Sequence, residues 1–159
     1  MSLLRDEDRK YLEEHFVPVL ENEVRLRLFV ESNVRSMLSL PGQEPNPEAA
    51  EMAKMTRELM EDVASLSPKL HLEVLDARSE GAAEAKRLGI EQLPALVMGD
   101  DEGGHIRFYG APVGNEFPTI LGDIQALSTG AVQLRETVAA AVREHVDKPV
   151  HLRVFVTPT

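Results

Sequence analysis

The chain contains no cysteine among its 159 residues. Without a thiolate, these residues offer no disulfide exchange, no peroxidatic nucleophile and no sulfur ligand for a metal. No stretch approaches the roughly 18 consecutive apolar residues that a membrane span requires. Positive charge is scarce: 17 Lys and Arg against 27 Asp and Glu leave a formal charge of -10. That balance repels a phosphate backbone, and no basic run interleaved with aromatics offsets it, so neither nucleic acid nor membrane is expected as a partner. The opening residues Met1-Ser2-Leu3-Leu4-Arg5-Asp6-Glu7-Asp8 are too acidic for a signal peptide, and the expected compartment is the cytoplasm.

The usual sources of catalysis are missing too. The sequence holds no Gly-x-Ser-x-Gly elbow, no Gly-Lys-Ser/Thr phosphate loop, no His-Glu-x-x-His helix and no Gly-x-Gly-x-x-Gly fingerprint. His15, His71, His105, His145 and His151 lie far apart, none three or four residues from another, so no metal site is expected. Asp100-Asp101-Glu102 reads as a solvated turn and Glu13-Glu14 as a helix face, rather than as acid–base pairs. Pro112 removes an N–H from the loop Gly110 to Gly114, which favours a structural loop over an anion cradle. Neither a catalytic residue nor a cofactor is expected within these residues.

What is present is a repeat. Val24-Arg25-Leu26-Arg27-Leu28-Phe29-Val30 returns as Val150-His151-Leu152-Arg153-Val154-Phe155-Val156, identical at five of seven positions. Each copy alternates with period two, Val24, Leu26, Leu28 and Val30 on one face and Arg25, Arg27 and Phe29 on the other, which is a strand pattern. Each follows a charged amphipathic segment, Leu4 to Val17 and Ala131 to Val146, carrying Glu13-Glu14-His15 and Arg143-Glu144-His145. The unit reads as helix then strand. A spacing of 126 residues suits a duplicated domain rather than a solenoid repeat. This places one unit in residues 1–130 and the helix and strand that begin a second in 131–159.

Between the copies the pattern alternates. The opening helix buries Leu4, Tyr11, Leu12 and Phe16 and ends at Pro18. After the first strand come an ambiguous segment, Glu31 to Leu40, and a proline-rich loop, Pro41-Gly42-Gln43-Glu44-Pro45. Asn46 is a plausible N-cap and Pro47 suits the first helical position, with Met52, Met55, Leu59, Val63 and Leu66 as the core stripe of a helix to about Ser65. Leu70 to Asp76 alternates as a second strand. Ser79 can cap a short helix that Gly89 closes after Leu88. Pro94 opens the strand Ala95 to Met98, and Asp100 to Gly104 turns it into His105 to Gly110, a hairpin. Asn115 can cap a last helix through about Leu127, with Pro118 in its first turn.

The order α-β-α-β-α-β-β-α specifies a thioredoxin-like fold, a four-stranded mixed sheet between helices. The stretch Leu88-Gly89-Ile90-Glu91-Gln92-Leu93-Pro94-Ala95-Leu96 resembles that superfamily's pattern of an apolar-Gly-Ile helix end followed by a proline before the third strand. The resemblance implies a cis Leu93–Pro94 bond and a peptide-binding edge at Leu93 and Pro94. The opening helix, the strand at Val24, the stretch Arg107 to Phe117 and the final Val154-Phe155-Val156-Thr157-Pro158-Thr159 resemble the first half of tandem-thioredoxin proteins. Those are the glutaredoxin-like protein disulfide oxidoreductases and the N-terminal domain of the flavoprotein subunit of alkyl hydroperoxide reductase. Counting from Phe29-Val30, the family's two thiol positions fall at Arg35 and Leu38, which cannot do thiol chemistry.

Two expectations follow. In the first, the chain is the redox-inert, structural or docking unit of a thiol-disulfide or peroxide-reducing protein, whose working dithiol would come after Thr159. In the second, it is a free-standing binding module for a protein or peptide partner. Because an unpaired strand at Val150 to Val156 invites another chain, that module could be a homodimer.

Overall fold

A computed structural model describes residues 3–31, 47–100, 106–131 and 134–156. Its elements follow in chain order: helix α1 (Asp6–His15), a 3-10 turn (Val17–Val19), strand β1 (Val24–Val30), helix α2 (Pro47–Ser65), strand β2 (Leu70–Asp76) and helix α3 (Ala82–Arg87). Strands β3 (Ala95–Met98) and β4 (Ile106–Tyr109) and helices α4 (Glu116–Thr129) and α5 (Glu136–His145) complete it. The four strands form one sheet in the order β2-β1-β3-β4. β1 is parallel to β2, from Val24 opposite Leu70 to Val30 opposite Asp76. It is antiparallel to β3, with Leu28 opposite Leu96, and β3 is antiparallel to β4. The parallel pair needs a crossover, which α2 supplies, whereas the hairpin closes locally.

The two faces of the sheet have separate cores. On one, Leu26, Leu28, Leu96 and Met98 meet Leu12 and Phe16 of the N-terminal segment, Leu59, Met60 and Val63 of α2, and Ile120 and Ile124 of α4. On the other, Phe29, Ala95 and Val97 meet Ala85 and Leu88 at α3. β1 is therefore covered on both faces, as a central strand next to a parallel neighbour should be. Its second face is less polar in surroundings than in sequence: Arg27 and Phe29 are both 0% exposed, and only Arg25 reaches solvent.

Polar anchors hold the approach to β1. The Ser128 hydroxyl, at the end of α4, accepts from the N–H groups of Glu21 (2.9 Å) and Asn22 (3.1 Å) and donates to the Asn22 carbonyl at 2.6 Å. Lys69 Nζ donates to the Leu20 carbonyl at 2.6 Å. Before α1, the Asp62 carboxylate on α2 accepts from the Leu3 and Leu4 N–H groups at 2.6 and 3.2 Å. A buried serine meeting three backbone groups satisfies atoms that would otherwise be desolvated at a cost of about 1–3 kcal/mol each.

Several sequence expectations are revised. Tyr11 lies outside the core, stacked on His15 with ring centroids 4.4 Å apart, because it sits off the stripe set by Leu12 and Phe16. Met52 is likewise exposed, while Met60 takes a buried place on α2. α3 starts after Gly81, not Ser79, and neither Gly81 nor Asn115 makes a side-chain cap. The largest revision concerns Val150 to Val156, which has no regular secondary structure and joins no sheet. Its polar-apolar alternation lacks the neighbours that would make a strand of it.

Candidate functional site

The Leu93–Pro94 edge named by the sequence lies at the end of the sheet where β1 and β2 finish and β3 begins. The two parallel strands stop together: Ala77 N–H donates to the Val30 carbonyl at 2.9 Å. The chain then turns tightly around Asp76. Its carbonyl accepts from the N–H groups of Ser79 (3.2 Å) and Gly81 (2.8 Å), and its carboxylate accepts from Arg78 N–H at 2.7 Å. Position 81 has to be glycine for lack of space, since a Cβ there would stand 2.7 Å from the Asp76 carbonyl oxygen and 2.8 Å from the Leu75 Cβ. Glu80 reaches back to accept from the Asp76 N–H at 3.0 Å, and this bond with that from Ser79 holds the Glu80 carboxyl below the usual range.

α3 then runs to Arg87 and is closed by Gly89, whose φ of +63° is open to glycine and strained for other residues. Ile90 N–H donates to the Ala85 carbonyl at 2.9 Å, which folds the following loop back toward the sheet. The loop ends in a cis Leu93–Pro94 peptide, as the sequence resemblance implies. Pro94 is buried and its carbonyl accepts from Gly110 N–H at 2.9 Å, while Leu93 is half-buried. Among the described residues no hydrogen bond engages the Leu93 N–H or C=O. Beside it is a shallow hollow of about 350 Å³, walled by Ala77, Arg78, Ala82, Lys86, Ile90 and Leu93. Its surface is polar and apolar in equal parts, and its rim carries both signs, with Arg78 paired to Glu31 at 3.0 Å and Glu91 at 3.5 Å from Arg153.

Between α3 and the sheet is an ion network that the sequence pattern does not disclose. Arg27 Nη1 donates to Glu84 Oε1 at 2.7 Å and Nη2 to the Gly99 carbonyl at 3.3 Å. Arg87 grips the same carboxylate with Nε at 3.0 Å and Nη2 at 2.6 Å. The Arg87 hydrogen bond is the larger cause, opposed by desolvation and aided by Arg27, of a Glu84 pKa below its ordinary value. Glu84 and Arg87, three apart on α3, are a visible pair. Arg27 alternates with apolar residues as a surface residue would, and only the packing of α3 over it makes it internal.

A larger cleft, about 590 Å³, opens at the opposite end of the sheet between Glu23, Arg25, His71, Glu73 and Leu127. Arg25 pairs there with Glu73 at 3.2 Å, the His71 ring lies 3.3 Å from the Glu23 carboxylate, and Asp100 also lines the cleft. Among the described residues no group of three His, Asp or Glu could hold a metal ion, and no helix is long and apolar enough to cross a membrane. Arg35 and Leu38, at which the sequence resemblance puts the family's thiols, lie outside the described residues, as does His105.

No protein-family model matches the sequence, and neither does any curated protein. Solved structures do match. The N-terminal domain of alkylhydroperoxide reductase AhpF from Enterococcus faecalis superposes with a TM-score of 0.66 at 20% identity, over 87% of this chain and 59% of that one. A protein disulfide oxidoreductase from Aeropyrum pernix gives a TM-score of 0.66 at 21% identity, over 87% of this chain and 54% of that one. The chain thus spans less than three fifths of either neighbour. At such identity the likeness establishes the architecture, and it does so with structures from both families that the sequence resembles: this chain is an α/β unit of thioredoxin-like fold.

Proposed function

We propose that this chain is a redox-inert thioredoxin-fold unit of a thiol-disulfide or peroxide-reducing system. It docks an extended polypeptide and leaves the sulfur chemistry to a dithiol carried elsewhere in that system. The observation that carries the reading is the open Leu93 backbone beside a shallow hollow of mixed polarity, in a chain without cysteine. An extended segment laid along residues 91–93 would accept from the Leu93 N–H and donate to its C=O, as in strand addition, and set alternate side chains into the hollow. The mixed charge at the rim, Arg78, Lys86 and Glu91, favours a polar, unfolded segment over a purely apolar one. A cytoplasmic setting belongs to the same proposal.

The test is an amide NMR titration with reduced, carboxymethylated α-lactalbumin as a permanently unfolded probe. Shifts confined to Ala77–Arg78 and Ile90–Leu93 are expected. Ala82→Arg, which fills the hollow from outside both cores, should weaken the response about tenfold, equivalent to ~1.4 kcal/mol. Shifts centred elsewhere, or none at millimolar probe, would remove the docking role.

A further inference from the structure

The C-terminal segment carries apolar surface that nothing among the described residues covers. Val138, Val142 and Val146, spaced by four along and just beyond α5, are 39, 46 and 48% exposed, and Leu152, Val154 and Phe155 are 83–91% exposed. Soluble monomers seldom leave apolar patches beyond a few hundred Å² in water, and this one is built from consecutive elements. Its cover can be identified from the sheet itself. Among the described residues the sheet has two open edges, β2 and β4. β4 has four residues, whereas β2 has seven, the length of Val150 to Val156. The strand that this segment repeats, β1, already pairs in parallel with β2 along its full length. The outer edge of β2 therefore offers the same side-chain alternation to a second β1-like strand, and Leu72, Val74 and Leu75 are only partly buried there.

Charge agrees with the placement. Residues 134–156 hold Arg135, Arg143, Lys148 and Arg153 against Glu136, Glu144 and Asp147, a balance of +1, which leaves -11 of the total -10 on the rest of the chain. Glu73 and Glu23 stand exposed along β2 and at its flank. A basic arm is drawn to an acidic body.

We propose that a second copy of this chain supplies the cover: the 150–156 arm of each protomer adds in parallel to the outer edge of β2 in the other. Exchange brings His151 opposite His71 and Arg153 opposite Glu73, in the register that Arg25 and Arg27 keep on the inner edge. It pairs the backbone of an otherwise open edge, and it is reciprocal, so the assembly closes as a dimer. The exchange releases Arg153 from Glu91 at the rim of the hollow but uses neither Leu93 nor its backbone, so this inference does not rest on the docking role.

The absence of cysteine makes the test clean. Sedimentation velocity of the full chain at about 100 μM, well above the micromolar range of a modest interface, should give twice the mass of one chain. Val154→Lys should return it to one chain, and in dilute protein its melting temperature should equal that of the unchanged chain, since the side chain is 83% exposed before association. When His71→Cys and His151→Cys proteins are mixed and oxidised, the mixed disulfide dimer should form at least tenfold faster than either like pair. A single-chain mass at 100 μM would overturn the dimer. A dimer that survives Val154→Lys, or in which two His151→Cys chains link to each other first, would overturn the arm-on-β2 arrangement.

Discussion

The two ends of the chain carry the same helix-then-strand pattern in sequence and have opposite fates. Shifted by 130 residues, Leu4, Leu12 and Phe16 correspond to Leu134, Val142 and Val146, and α1 and α5 are both ten residues long. Each is preceded by an extended arginine, Arg5 with φ -68° and ψ 153° and Arg135 with φ -60° and ψ 138°. In the first copy the three apolar residues are 8, 5 and 6% exposed, and in the second 50, 46 and 48%. β1 is fully paired, while its echo is not a strand. Local sequence is thus enough for the helix in both places and for the strand in only one. A helix satisfies its own backbone, but a strand needs a neighbour to satisfy it. β1 has β2 and β3 beside it and Ser128 fixing its approach. The second copy has only the short linker Asp147-Lys148-Pro149 and an exposed ion pair from Arg153 to Glu91.

The widest gap between the copies should appear at the shared phenylalanine. Phe29→Ala removes a ring that is 0% exposed and should cost about 3–5 kcal/mol, enough to unfold much of the population at 37 °C. Phe155→Ala, at 91% exposure, should leave the urea midpoint of dilute protein within measurement error. Equal effects at the two positions would mean that the second copy is packed like the first.

The shared arginine gives the next contrast. Arg27→Ala strips a buried guanidinium from Glu84 and the Gly99 carbonyl, and a loss of about 3 kcal/mol is expected, at the lower end for a buried pair because Arg87 still holds Glu84. Arg153→Ala breaks only an exposed pair, and no change in denaturant midpoint is expected. If the two substitutions destabilise equally, the buried network is not what holds α3 to the sheet.

Acid should act on the first copy alone, and by a smaller amount. Glu84 titrates below its ordinary range because Arg87, and after it Arg27, stabilise its anion. A folded pKa below the unfolded one contributes stability above the unfolded value, near 4.3, which is lost as pH falls through the folded value. Asp123 has the opposite sign. Burial raises its pKa, so its contribution is present below an unfolded value near 3.9 and disappears as pH rises through the folded value. The melting temperature should therefore decline below about pH 4, and Glu84→Gln should flatten that decline while Glu91→Gln leaves it in place. An acid limb unaffected by Glu84→Gln would assign it to other carboxylates.

How far the sequence could be read follows the same division. β1 and β2 were legible at both boundaries because period-two runs of seven residues sit between clear breaks. α2 was legible from Pro47 at its first position and a stripe spaced by three and four. The cis Leu93–Pro94 bond was legible through resemblance alone, since no periodicity marks it. Tyr11 was misplaced because one helical turn offers two adjacent positions to a core and only tertiary packing chooses between them. Arg27 was missed as an internal residue, and the hollow walls Ala77, Ala82 and Ile90 were missed as a group. They come from three segments brought together by the Asp76 turn and the fold-back after Gly89. The strand assigned to Val150–Val156 failed for the converse reason, because the pattern is present and the neighbours are not.

Backbone hydrogen exchange, read at several protein concentrations, tests the contrast most directly. The account predicts that Val24–Val30 amides are protected to the level of global unfolding at every concentration. Amides of 150–156 should exchange at unprotected rates in dilute protein and gain protection as the concentration rises through the dimer transition. Strong protection of 150–156 at the lowest concentration would show that the chain pairs its own last segment, and no protection at the highest would show that a second copy never covers it.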